Sequence, residues 1–372
     1  MTDTPAPYAG ESVRIRRATL ADRDALIELS RTVFNETGTD KAREIGEAFW
    51  DWQFAKQPAG QFLIWLAELN GRIVGQVPTN SVRLKCLDRE VLGAITIDAM
   101  VHPAHRDKTL FVKLGRRADQ EMGEAGISVG VGLPNRNSLP AAVRFMKYKI
   151  VCQVPLLMKP IRWDRLIAKA GAPAWIGGFV GVFARGAQRL RHRSAQPHGQ
   201  VTVRETVEFP AETDLFWEKA SPPHPVIAVR DRRYLAWRYC ESPTRRYRIF
   251  IAKKKGAMAG YAVTRVFQKS GLRMGALMDL MAEPGRPEIP DALITKVIEE
   301  LKLEDIDALV ALMQNHNFYY PALRRQGFWR VPERVNPRTF NLVCRAVDAS
   351  LDTGQLMDGK NWFLTLGDYD VY

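Results

Sequence analysis

Cysteine is scarce and unpaired in this chain: Cys86, Cys152, Cys240 and Cys344 lie far apart, with no Cys-x-x-Cys among them. That spacing argues against a zinc ribbon or a disulfide scaffold and for a reducing compartment. Long hydrophobic runs are missing too. The uncharged stretch 170–184, with Trp175, Phe179 and Phe183, is short of the roughly 20 residues needed to span a bilayer. The polar, charged opening 1–17 has no apolar core, so no secretory signal is expected and a cytoplasmic location is. The six histidines make no metal set. His102 and His105 are close, but no carboxylate or cysteine cluster accompanies them, so they read as a loop pair and no metal is expected. Acidic residues fall short of basic ones, 41 against 54, for a net charge of +13. The surplus suits an anionic ligand, an anionic membrane surface or nucleic acid. No nucleic-acid motif accompanies it, so nucleic acid is not expected.

What the chain does have is a repeat of itself. Shifted by 185 positions, Phe49, Trp52, Pro58, Ala67, Gly71 and Gly75 fall on Tyr234, Trp237, Pro243, Ala252, Gly256 and Gly260. Shifted by 181, Ile97-Asp98-Ala99-Met100-Val101-His102-Pro103 meets Met278-Asp279-Leu280-Met281-Ala282-Glu283-Pro284. Shifted by 180, Asn135-Arg136-Asn137 meets Asn315-His316-Asn317. A period this long is a duplicated domain, since solenoid repeats run at tens of residues. At 372 residues and 46% hydrophobic content, the chain supports two ordinary cores.

In each copy, apolar alternation marks strands and helical spacing marks helices. Copy one reads as a strand at 13–17, a helix capped by Thr19, and a second helical stretch with Ile45, Phe49 and Trp52. Strands follow at 62–68 and 73–77 across Asn70-Gly71, a strong hairpin signal. A strand over 93–101, a helix over 110–123, a strand over 127–133 and a helix over 139–147 complete it. Copy two repeats that order, so each copy is α/β with antiparallel strands first and a strand–helix–strand crossover after. The expected limits are a disordered lead at 1–12, a first domain at 13–160, a basic and aromatic linker at 161–199, a second domain at 200–345 and a tail at 346–372. The linker holds Arg162, Arg165, Lys169, Arg185, Arg189, Arg191 and Arg193 against Asp164 alone, which leaves weak contact with an anionic membrane open.

Arg16-Arg17-Ala18-x-x-x-Asp22 before a helix, the Asn70-Gly71-x-x-x-Gly75 hairpin, and Val101-His102-Pro103-x-x-Arg106-Asp107-Lys108-Thr109-Leu110-Phe111 between a strand and a helix together resemble the GCN5-related N-acetyltransferase (GNAT) superfamily. The resemblance covers 13–158, and 201–345 through the repeat. It implies two tandem GNAT-like acyl-CoA N-acyltransferase domains in a mixed α/β sheet, with acetyl-CoA as acyl donor. In that family the strand–loop–helix wraps the pyrophosphate with [Gln/Arg]-x-x-Gly-x-[Gly/Ala], using main-chain N–H groups and the helix dipole. The positions carried over are Met100, Val101, Arg106, Asp107, Lys108, Thr109, Leu110 and Phe111, with Asn135 and Asn137 against the pantetheine.

The chain departs from that pattern. Thr109 and Phe111 replace the small residues, and Asp107 adds negative charge. In copy two, 283–290 holds three prolines and two carboxylates, so no cofactor is expected there. The family's helix tyrosine is replaced by Val143 and Leu323. Asp98, read as lying within a strand, is the remaining candidate base, and a turn-holding role shared with Asp279 is the other reading. The resemblance implies acyl transfer to an amine of a small molecule, sugar or peptide. The alternatives are a non-catalytic GNAT-like scaffold, or a peripheral membrane or assembly protein of a polysaccharide pathway. The ending Trp362-Phe363-Leu364-Thr365-Leu366-Gly367-Asp368 is similar to that of some bacterial tandem GNAT proteins associated with such pathways.

Overall fold

The computed structural model describes residues 13–36, 44–60, 62–106, 108–169, 201–334 and 339–369, leaving aside the side chain of Lys108. The expected lead and the linker from residue 170 onward, with Trp175, Phe179 and Phe183, lie outside these. The chain divides into unit 1 (1–152, 241–245, 341–358) and unit 2 (153–240, 246–340, 359–372).

Unit 1 opens with β1 (Arg14–Arg17), α1 (Arg23–Glu36) and α2 (Glu47–Trp50). The strands β2 (Phe62–Leu69), β3 (Arg72–Cys86), β4 (Arg89–Thr96) and β5 (Met100–Val101) follow. Then come α3 (Lys108–Glu121), β6 (Val129–Gly132), α4 (Leu139–Phe145) and β7 (Lys149–Val154). Unit 2 runs through β8 (Leu156–Pro160), α5 (Trp163–Lys169), β9 (Val201–Thr206), α6 (Thr213–Ala220), β10 (Val226–Ala228) and α7 (Arg232–Leu235). It continues with β11 (Arg248–Lys254), β12 (Ala257–Lys269), β13 (Leu272–Ala282), α8 (Glu288–Leu303), β14 (Ala308–Leu312), α9 (Tyr320–Arg325) and β15 (Trp329–Arg330). The last elements, β16 (Phe340–Ala346) and α10 (Thr353–Met357), return to unit 1.

The sheet of unit 1 has the order β1-β2-β3-β4-β6-β16-β7, and that of unit 2 the order β15-β8-β14-β13-β12-β11-β9. The expected contiguous domains at 13–160 and 200–345 are therefore corrected. β16 inserts between β6 and β7 in the first sheet, and β8 lies beside β14 in the second. Each copy gives the other its next strand, and pairing across distant sequence leaves no trace in local periodicity.

The repeat is faithful in backbone detail. Asn70-Gly71 and Lys255-Gly256 both turn with positive φ at both residues, as a type I′ hairpin requires. A register shift falls at Ala67/Glu68 and at Ala252/Lys253, and a π-turn at Asp51–Ala55 and at Ala236–Cys240. Gly75 and Gly260 do the same work. A Cβ on Gly75 would stand 2.8 Å from Leu114 of α3, and one on Gly260 2.8 Å from Ile289 of α8 and 2.9 Å from the Met281 carbonyl. At Gly260 the main chain itself leaves no room for a side chain, and at Gly75 a side chain would have to push Leu114 aside.

Helix α3 meets its sheet through Leu110, Leu114, Ala118 and Met122, one stripe at spacing four, packed with Leu63, Trp65, Val77 and Ala94. Arg162 and Arg165, two of the linker cations, are paired with Asp305, and Arg165 also with Asp307 at 3.2 Å. No helix of the described residues is long and apolar enough to cross a membrane.

The Arg16–Asp22 pair anchors the opening of α1. Asp22 accepts from Arg16 at 2.7 and 2.8 Å and from the Thr19 N–H at 2.8 Å, while Arg16 Nε reaches Glu68 at 3.0 Å. Hydrogen bonding from Arg16 holds the Asp22 carboxyl well below the usual carboxylate range. A depressed folded-state value gives stability that is complete above the unfolded value of about 3.9 and is lost as pH falls toward the lower folded one. Urea midpoints for unit 1 should thus favour wild type over Asp22→Asn at pH 6, by about 1–3 kcal/mol. The two should converge as the pH is taken to 3 and below; a gap constant over that range would refute the pair's role.

Candidate functional site

The site is built where β4 gives way to β5. Strand β4 runs antiparallel to β3 as far as Thr79↔Thr96, and β5 resumes at Gln76↔Met100. Between those pairs, three residues (97–99) face two on β3, so the strand carries one extra residue, a bulge. Asp98 occupies it with φ of 47°. The expected continuous strand over 93–101 is thus corrected: Asp98 is half-buried on a kink, outside any strand. The kink is tied to β3 by Ile97 N–H to the Pro78 carbonyl at 3.2 Å. Gln76 Nε2 also donates to the Asp98 carbonyl at 3.3 Å and to Ser30 Oγ at 3.1 Å.

On its other side β4 runs parallel to β6 only through Ile95↔Val131. Past that pair, among the described residues, no ladder joins 97–101 to the end of β6. Two parallel strands that start together and separate leave a wedge-shaped opening with main-chain groups along its sides, and such openings at strand carboxyl ends are where α/β sheets bind ligands.

The turn from β5 into α3 points a helix start at the same region. His102 N–H donates to the Val74 carbonyl at 2.8 Å, and His102 Nδ1 accepts from Ala104 N–H at 3.2 Å. The first-turn N–H groups of an α-helix have no carbonyl four residues behind them, and the dipole makes that end positive. Thr109 is exposed at the start of α3, and Leu110 drives into the core. Phe111 packs against two apolar clusters, so its bulk is absorbed away from the loop.

The other expected residues divide as follows. The side chains of Met100 and Val101 are buried, Met100 with Leu29 and Val33, so only their main chain faces the opening. Arg106 pairs with Glu36 on α1 and donates to the Val101 carbonyl at 3.4 Å, contacts that brace the loop. Asp107 lies outside the described residues. Asn135 Oδ1 accepts from the N–H groups of Asn137 and Ser138 at 2.9 and 3.0 Å. It is a turn former, and Asn317 does the same for Tyr319 N–H at 2.9 Å in unit 2. No group of three or more His, Cys, Asp or Glu among the described residues is placed to hold a metal.

Three residues that sequence reasoning passed over stand at the inner end of the opening. Thr79 and Thr96 face each other on β3 and β4, and Tyr148 lies across β6. A Cβ on Gly130 would be 2.6 Å from the Tyr148 hydroxyl. Burial pushes the Tyr148 phenol up to about 12, and Thr96 lowers it without meeting hydrogen-bond geometry. The signal in sequence was Gly130 itself, a glycine inside a strand, which marks a close approach.

In unit 2 the corresponding opening is filled. Tyr319 Oη accepts from the Ala282 N–H at 2.7 Å and donates to the Ala282 carbonyl at 3.0 Å. Leu364 N–H reaches Gln314 Oε1 at 3.4 Å, and a Cβ on Gly367 would be 3.1 Å from the Met278 carbonyl. Through the repeat, 278–279 matches 97–98 and Gln314 matches Pro134. The tail therefore threads the place that stands open in unit 1. Helix α8 also starts on its own carboxylates, Glu288 and Asp291, with Glu288 held by Lys254 at 2.6 Å.

This arrangement of bulge, separating strands and helix start has a family counterpart. The family described as Acetyltransferase (GNAT) domain matches residues 14–148. Residues 14–148 thus carry a GNAT acetyltransferase domain. Solved GNAT-fold structures resemble it over nearly its whole length. A GCN5-related N-acetyltransferase from Anabaena variabilis has 11% identity over 91% of this chain and 73% of that one, with a TM-score of 0.61. Saccharomyces cerevisiae N-myristoyltransferase with bound myristoyl-CoA and inhibitors has 13% identity over 93% and 82%, with a TM-score of 0.59. A tandem GNAT protein from the clavulanic acid biosynthesis pathway has 12% identity over 91% and 100%, with a TM-score of 0.55. At such identities the likeness is one of fold: two GNAT-like domains in tandem. No curated protein matches the chain significantly.

Proposed function

We propose that unit 1 of this GNAT protein is an N-acyltransferase that takes its acyl group from acetyl-CoA and delivers it to an amine. The observation that carries this reading is the wedge between β4–β5 and β6 with the start of α3 at its mouth. The wedge offers main-chain groups to an extended pantetheine arm, and the helix start offers N–H donors and a positive dipole end to the pyrophosphate. In the reaction the amine nitrogen attacks the thioester carbonyl carbon. The new C–N bond replaces the C–S bond, the amine loses a proton, and coenzyme A leaves carrying one on sulfur. Asp98, the carboxylate on the bulge, takes the amine proton in this reading. A hollow of about 270 Å³ between α1 and α2 suits a cationic acceptor, since Asp24, Glu28 and Glu47 line it against Arg31. Unit 2, its opening filled by the tail, is non-catalytic.

The test uses the first residue of α3. Proline is tolerated at the first helical position and deletes one N–H without unwinding the helix. Lys108→Ala removes only the charge, and Lys108→Pro removes charge and donor. In calorimetric titrations wild type is expected to bind acetyl-CoA with micromolar affinity, about −8 kcal/mol. Lys108→Pro should bind at least about tenfold more weakly than Lys108→Ala, as loss of a hydrogen bond to a charged group demands. Equal affinities for the two variants would remove the helix start from the site, and no binding by wild type would end the catalytic reading.

A further inference from the structure

Hydroxyl groups gather on the α3 face of unit 1 beside the bulge. Thr79 and Thr96 are directly paired across β3 and β4, so their Cβ atoms lie about 5 Å apart. Both share the face of Val77 and Ala94, which are core residues under α3. Tyr148 reaches the same face from β7's approach, packed with Met146 and Val343 and bordered by Phe111. Its ring lies over Gly130, which pairs with Ala94 two residues short of Thr96. Thr79 is 1% exposed and Tyr148 5%, and neither hydroxyl oxygen has a hydrogen-bond partner.

Buried hydroxyls in native proteins are paired, because leaving one unpaired forfeits its hydration for nothing. Two such groups on one face, with Thr96 beside them as the last residue before the bulge, mark a place that awaits a polar atom. We propose that Thr79, Thr96 and Tyr148 form the acyl end of the cleft, receiving the carbonyl oxygen of a short acyl thioester and excluding long hydrocarbon chains. The inference rests on the acyl-CoA reading above and names its acyl specificity.

The chemistry favours a neutral carbonyl. Hydroxyl groups donate without carrying charge, whereas the phosphate-binding features stand at the other end, at the start of α3. A long alkyl chain laid across these residues would cover their oxygens with methylene groups and leave them unpaired. Its path is also closed. Tyr148 fills the space over Gly130, and Met146 approaches Gly115 of α3 so nearly that an added Cβ there would meet its methyl group at 2.1 Å.

The experiment titrates coenzyme A, acetyl-CoA and octanoyl-CoA separately into the full chain. Wild type should bind acetyl-CoA more tightly than octanoyl-CoA. The isosteric double variant Thr79→Val, Tyr148→Phe should bind coenzyme A within about twofold of wild type. It should lose acetyl-CoA affinity about tenfold, the loss of one or two neutral hydrogen bonds, and gain octanoyl-CoA affinity. Thr96→Val, the mildest change, should move the ratio the same way and serves if the double variant does not fold. If coenzyme A binds and the acetyl-to-octanoyl ratio is unchanged in the variants, the hydroxyls hold resident water or nothing, and the proposal is overturned while the donor reading stands. If wild type binds no coenzyme A, the donor reading falls and takes this one with it.

Discussion

Ending the chain after Asp358 should leave unit 2 unable to fold. The segment removed carries Trp362, Phe363, Leu364 and Leu366, none more than 6% exposed. Each such side chain is worth about 1.5–3 kcal/mol of burial, so the four sum to about 6–12 kcal/mol. That approaches the whole stability of a domain, about 5–15 kcal/mol. Polar losses add to it. Phe363 N–H donates to the Val226 carbonyl at 2.9 Å, and Asp368 holds Arg230 at 2.7 Å. Hydrogen exchange followed by mass spectrometry reads both units at once. The truncated chain should lose protection along β11–β14, and native protection there would show that the tail is an ornament of unit 2 and no part of its core.

Asp279→Ala is the second large effect. Arg230 and Asp279 are both 1% exposed and meet at 3.0 Å. Asp279 also accepts from Tyr239 and Tyr261, both at 3.2 Å, and Arg230 stacks on Phe363 at 5.0 Å. The direction of the Asp279 shift is upward: burial opposes its charge, and Arg230 counters it. Removing Asp279 leaves the buried Arg230 with Asp368 at 2.7 Å as its remaining carboxylate, so the cost falls toward the lower end of the about 3–5 kcal/mol that breaking a buried pair brings. Thermal unfolding should show that loss for Asp279→Ala. The triple change Arg230→Met, Asp279→Leu, Asp368→Asn should recover most of it, since it removes all three charges together and strands none. A triple variant as unstable as the single one would mean that the network's other hydrogen bonds, and not the lost charge partner, set the cost.

The duplication was fully legible, because it is written in residues with strict local duties. Gly71 and Gly256 sit where φ must be positive, and Gly75 and Gly260 where a helix touches the sheet. The strand and helix order followed from periodicity. The exchange of β8 and β16 was not legible, since a strand reads the same whichever sheet it joins. At the site, the strand–loop–helix was found through the family pattern, but the partners of its side chains were not legible. Arg106 was expected on an anion and pairs with Glu36. Asp98 was expected within a strand and sits on a bulge. Asp98 and Asp279 align in sequence yet live differently, one half-buried and one deep in an ion network, because the tail that surrounds Asp279 lies far from it along the chain. Tyr148, Thr79 and Thr96 come together only once β3, β4, β6 and β7 are in register.

The position of β16 also fixes when unit 1 can be finished during synthesis. Its partner β6 leaves the ribosome early, but the strand that covers β6 begins at residue 340. At about 5–20 residues per second, the intervening stretch takes about 10–40 seconds to translate. Throughout that interval β6 presents a bare edge, the kind that invites pairing with a neighbouring nascent chain. Maturation of unit 1 therefore waits on translation of the other half, and synthesis halted between the two would leave a GNAT domain with an unfinished sheet.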